Sequence, residues 1–82
     1  MTLLRFLRSV KMYAIRVMFC RNGIWSKPYT YKCDFFVEKG NAVMVPTGNW
    51  YSVGKVQEVF DARVYEWRED IKYTNAIMKV VL

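Results

Sequence analysis

The sequence predicts a mainly β fold, with strands curled into one small barrel, and three observations carry that prediction. Apolar and polar residues alternate with period two over Met12–Cys20 and again over Tyr29–Asp34. Turn signals recur at short intervals, at Asn22-Gly23, Lys39-Gly40-Asn41 and Thr47-Gly48-Asn49. Gly54 sits inside the longest β-type run, Trp50–Phe60, where a glycine marks a bulge or sharp bend of the kind that turns a corner in a small barrel.

The elements follow in order. Leu3, Leu4, Phe6, Leu7 and Val10 fit one face of a helix with Arg5 and Arg8 turned away, so residues 1–11 are either a short basic amphipathic helix or an extension of the folded unit, which spans 12–82. In the first strand Tyr13, Ile15, Val17 and Phe19 share one face, opposite Ala14, Arg16, Met18 and Cys20. Asn22-Gly23 then turns the chain, Trp25 falls in a loop, and Pro28 delays the second strand because it cannot donate to a ladder. Tyr29, Tyr31 and Cys33 oppose Thr30, Lys32 and Asp34, which makes a hairpin with the first strand the simplest arrangement. Ala42–Val45 forms a short, strongly apolar third strand stopped by Pro46, and Trp50–Phe60 a fourth whose register past Gly54 is open. Asp61–Asp70 reads either as a turn or two of helix capped by Asp61 or as a loop, and Ala76–Leu82 as a closing fifth strand. Five short strands in one chain describe a five-stranded SH3-like or OB-like barrel.

Length and composition agree with one domain. A chain of 82 residues buries only about 60 to 65% of the surface its unfolded form exposes, leaving nothing for a second core. Six Tyr, five Phe and three Trp compensate by burying a large area each. Cys20 and Cys33 fit free thiols in a cytoplasm better than a disulfide, and without histidine a zinc site is not expected. No apolar run reaches the roughly 18 to 20 residues of a membrane span, and the N-terminus lacks a signal-peptide cleavage pattern. Residues 1–32 carry seven bases and no acid (+7), whereas residues 33–82 carry six bases and seven acids (−1), which together give the formal +6. A one-sided basic half points to a polyanion, a membrane surface or an acidic protein as partner.

Lys27-Pro28-Tyr29-Thr30-Tyr31, Lys39-Gly40, Val43-Met44-Val45-Pro46 and Gly54-Lys55-Val56 together resemble the N-terminal DNA-binding domain of the primosomal replication-restart helicase. The same order of motifs is similar to that of small phage and prophage proteins. The likeness covers Lys27 to Val59 and implies a small all-β barrel. For the helicase it implies reading of a DNA strand end, with Tyr29, Thr30 and Gly40 at the pocket positions. Thr30 stands where the helicase has an acidic residue, and Thr47-Gly48-Asn49 where it has a basic cluster.

No catalytic set is visible. The commonest general base, histidine, is missing, and the glycines are too scattered for a phosphate-cradling loop, so neither an enzyme nor a cofactor is expected. Two binding readings remain. In the first, Trp50, Tyr51 and Trp67 anchor a host or viral protein from the replication, transcription or defence machinery, in a host cytoplasm, because Trp and Tyr dominate binding hot spots. In the second, Arg16, Arg21, Lys27 and Lys32 meet phosphates while Trp25, Tyr29 and Tyr31 stack on bases. For Tyr29 and Tyr31, packing in the core is the favoured alternative. Self-association through the apolar edge Ala76–Leu82 would give a homodimer.

Overall fold

A computed structural model describes residues 12–67 and 73–81 and contains seven strands: β1 (Tyr13–Met18), β2 (Cys20–Arg21), β3 (Ile24–Trp25), β4 (Tyr29–Cys33), β5 (Ala42–Thr47), β6 (Trp50–Asp61) and β7 (Met78–Val80). Five of them form one antiparallel sheet in the order β4-β1-β6-β5-β7, and β2 pairs with β3 in a two-stranded ribbon. The protein is mainly β, and no helix occurs among the described residues. The expectations for residues 1–11 and for Arg68, Glu69 and Asp70 lie outside the described residues.

β1 and β4 form the expected hairpin, in register from Tyr13 opposite Cys33 to Val17 opposite Tyr29. Asn22 (φ 53°) and Gly23 (φ 77°) both have positive φ, the pairing that a two-residue hairpin turn demands. That turn also pairs Cys20 with Trp25 and Arg21 with Ile24, so Trp25 lies on a strand and not in the expected loop. The ribbon is tied to the main hairpin by Ser26 N donating to the Phe19 carbonyl (2.7 Å) and Phe19 N donating to Ser26 Oγ (3.0 Å).

β5 runs through Pro46, which the sequence reading took as its stop. The Met44 carbonyl accepts from Ile77 N (2.8 Å) on the β7 side, so alternation turns the Pro46 nitrogen to that same side. The β7 ladder covers only Ala42 to Met44, and proline's missing donor therefore costs no sheet hydrogen bond.

The irregularity expected at Gly54 falls three residues later. Gly54 pairs regularly with Val43, while the β1–β6 register shifts between Arg16, opposite Glu58, and Val17, opposite Val56, leaving Gln57 as the extra residue. Gly54 serves a different purpose. A Cβ there would collide with Val17 Cγ1 and lie 2.9 Å from Phe19 Cε1 and 3.1 Å from the Met18 carbonyl oxygen, so only glycine lets β1 approach β6 this closely.

The C-terminal segment bonds to β4 and to β5. Lys32 N donates to the Thr74 carbonyl (2.9 Å) and Ala76 N to the Lys32 carbonyl (2.7 Å), alongside β4. After Ile77 the same segment continues as β7 on β5. The sheet encloses Ile15, Val17, Tyr31, Cys33, Val37, Val43, Val45, Val56 and Ala76, with Tyr13, Phe19, Phe35 and Val59 packed against them. Each fully buried aliphatic side chain contributes about 1.5–3 kcal/mol relative to exposure. Both cysteines are free: Cys20 is exposed, and Cys33 lies in the core with its thiol donating to the Phe35 carbonyl (3.2 Å).

Candidate binding surfaces

Three surfaces carry the chemistry-bearing side chains. The first is the outer face of β6-β5-β7. Residues directly opposite across an antiparallel ladder point to the same side of the sheet. The core takes Val43 and Val45, so the opposite face holds three rows: Tyr51 with Pro46, then Val53 with Met44 and Met78, then Lys55 with Ala42 and Val80. Tyr51 (52% exposed), Val53 (48%) and Met78 (51%) leave much of this face open. Trp50 is 75% exposed at the hairpin end, with its ring centroid 6.0 Å from that of Tyr51. Val53, Met44 and Met78 were missed in the sequence. The signal was there, because β5 is apolar at successive positions and so presents apolar side chains to both faces.

The second surface is the ribbon and the adjoining end of β4. Lys27 Nζ lies 5.4 Å from the centroid of the Tyr29 ring, and Lys55 Nζ lies 6.0 Å from that of Trp25. Phe19 meets the other end of this row at 6.0 Å from Tyr29. Arg21, Ile24 and Trp25 are exposed on the ribbon, and no acid occurs between residues 12 and 33. Four predicted site residues, Arg21, Trp25, Lys27 and Tyr29, thus come together, joined by Lys55 from β6. The two tyrosines of β4 part company: Tyr31 is buried and Tyr29 is 44% exposed.

Arg16, Thr30 and Lys32 point to the opposite face of the hairpin, where they support a third surface. The chain leaving β6 turns back over this face, with the Asp61 carbonyl accepting from Val64 N and Tyr65 N (both 3.1 Å). The Asp61 carboxylate accepts from Arg63 N (2.9 Å) and from its guanidinium, which holds the Arg63 pKa up. Phe60, Tyr65, Trp67 and Tyr73 then form a chain of rings at 5.2, 4.8 and 4.6 Å between successive centroids. Lys32 Nζ sits 5.8 Å from the Trp67 centroid, and Thr30 Oγ1 is hydrogen-bonded to Tyr65 OH (3.0 Å). Lys32 and Phe60 are the two cross-strand partners of Ala14, so this aromatic chain spans Ala14 and accounts for its full burial on the side away from the core.

Trp67 is only partly exposed, and its indole N–H donates to the Ala62 carbonyl (3.0 Å). Arg16 is held by Glu58 at 3.6 Å. Gly40, with φ 95°, makes the turn before β5, and its N–H donates to the Val56 carbonyl (2.8 Å). It is therefore separated from Thr30 and Tyr29 by the width of β1 and β6. Burial raises the Cys33 thiol pKa, and burial together with the Tyr29 charge raises that of Tyr31.

Among the described residues no three Cys, Asp or Glu side chains gather as a metal would require, and no helix is long and apolar enough to cross a membrane. No protein-family model matches the chain, and no curated protein or solved structure shows significant similarity to it.

Proposed function

We propose that this chain is a small non-enzymatic binding module, an SH3-like or OB-like barrel that docks a protein partner on the outer face of β6-β5-β7. The barrel reading is supported by the segment Thr74–Val80, which bonds to β4 at one end and to β5 at the other. The docking reading rests on one observation: Tyr51, Val53, Met44 and Met78 form a contiguous apolar face across three strands, with Trp50 exposed at its end. Contiguous exposed apolar surface is what interaction sites present, and Trp and Tyr are their strongest anchors. The resemblance to phage and prophage proteins supports a host or viral protein as the partner. Two free thiols fit a cytoplasmic setting.

The test is capture from a nuclease-treated bacterial lysate with three baits: the native chain, Val53→Asp, and the double ribbon variant Trp25→Ala/Lys27→Glu. The reading expects a stoichiometric protein retained by the native and ribbon-variant baits and lost with Val53→Asp. Equal capture by all three, or no capture by the native chain, refutes it.

A second reading, single-stranded nucleic acid on the ribbon, is favoured by the Lys27–Tyr29 and Lys55–Trp25 pairs beside Arg21. Cations for phosphates and rings for bases are the components such a site needs. It expects log K to fall with log salt in proportion to the phosphates neutralised, and a flat response removes it.

A further inference from the structure

We infer that the segment seated on the outer face of β6-β5-β7 is an acidic amphipathic helix of about two to three turns; this rests on the docking reading and specifies its partner. Shape is the first argument. Three strands about 4.8 Å apart, read over five residues at about 3.3 Å each, give an apolar field of about 10 by 13 Å. An α-helix is about 10 Å across and rises 5.4 Å per turn, so a single helix covers all three rows at once. A strand added beside β7 would meet only the Met78 and Val80 row and leave Tyr51 and Val53 open. Two of the face's central side chains, Met44 and Met78, are unbranched and repack readily around an inserted side chain.

Charge is the second argument. From Gly40 to Gln57, and from Tyr73 to Val81, the chain carries no acid and two bases: Lys55 on this face, and Lys79, opposite Val43, on the other. Lys55 occupies the row with Ala42 and Val80, so one end of the field is cationic and the other, at Trp50 and Tyr51, is aromatic. Further along β6, Glu58 is paired with Arg16 at 3.6 Å. A helix with apolar residues on one side and Asp or Glu on the flank beside Lys55 is complementary. A basic helix meets like charge there, on a chain of formal charge +6.

The test uses the full chain to pan a phage-displayed library of helix-biased 16-residue peptides, with binding of the winners measured by fluorescence anisotropy to the native chain, Val53→Asp and Lys55→Glu. Thermal melts check that both variants remain folded. Expected winners carry an amphipathic apolar stripe with net negative charge, lose binding to Val53→Asp, and weaken at least about tenfold on Lys55→Glu. Winners that depend on Val53 but are neutral or basic overturn the acidic helix and leave the docking reading standing. An absence of any Val53-dependent peptide overturns both. A native chain that sediments as a dimer, converted to monomer by Val53→Asp, assigns the face to a second copy and also overturns the inference.

Discussion

Replacing Gly54 by alanine probes how closely β1 and β6 approach. The added methyl group collides with Val17 Cγ1, a stiff, fully buried side chain, and presses on Phe19 Cε1 at 2.9 Å and the Met18 carbonyl oxygen at 3.1 Å. One obstacle is backbone, so rotamer changes alone cannot relieve the crowding and the two strands must separate. Overpacking of this kind costs about 1–3 kcal/mol. Alanine restricts the unfolded chain and returns about 0.4–1 kcal/mol, leaving a net loss of about 1–2 kcal/mol. For a domain of this size each kcal/mol moves Tm by about 4–8 °C, so a fall of about 5–15 °C is expected. Urea denaturation monitored by tryptophan fluorescence measures the loss directly, and a double-mutant cycle identifies its cause. Val17→Ala alone costs about 2–3 kcal/mol through its cavity. Combined with Gly54→Ala it should cost at least about 1 kcal/mol less than the sum, because the new methyl group enters the space vacated. If Gly54→Ala is as stable as the native chain, or if the two changes simply add, the close approach at Gly54 is wrong.

Other outcomes follow from the core and the aromatic chain. The folded protein holds the Cys33 and Tyr31 protons more tightly than the unfolded chain does, because burial raises both pKa values. Stability is therefore full below the unfolded thiol pKa of about 8.5 and falls as pH rises through it, by at most about 1.4 kcal/mol per pH unit for each group. Urea midpoints from pH 7 to 10.5 should show that fall, and Cys33→Ala should remove its first part. Iodoacetamide at pH 8 should modify exposed Cys20 within the native state and reach buried Cys33 only on unfolding, as peptide mass mapping would reveal. Tyr65→Phe removes the hydrogen bond to Thr30 and should cost about 0.5–1.5 kcal/mol, whereas Tyr51→Phe on the open face should leave the urea midpoint unchanged.

The strands of the main sheet were legible because each has a local signature: period two in β1 and β4, the positive-φ pair Asn22-Gly23, and the turn residues that bracket β5 and β6. Local signatures do not say which neighbour a strand will have. Gly54 looked like a bend because nothing in the sequence reveals that the Val17 side chain packs against it, and the true extra residue, Gln57, has no special chemistry. Pro46 looked like a stop because the reach of β7 along β5 is a tertiary fact. The basic hairpin looked like one surface, yet strand alternation sends Arg16, Thr30 and Lys32 to one side and leaves Lys27 and Tyr29 on the other. Tyr65, Trp67 and Tyr73 were unreadable for the same reason: they cover Ala14, about fifty residues earlier.

Because residues 74 to 80 fasten onto Lys32 on one margin and Met44 on the other, no described residue made before them occupies either margin. During synthesis, β4 and β5 would emerge with their outward rows of amides unpaired by this segment. The sheet can be completed only when residues 74 to 80 have cleared the ribosome, and the interval before that is when nascent copies are most exposed to pairing with one another.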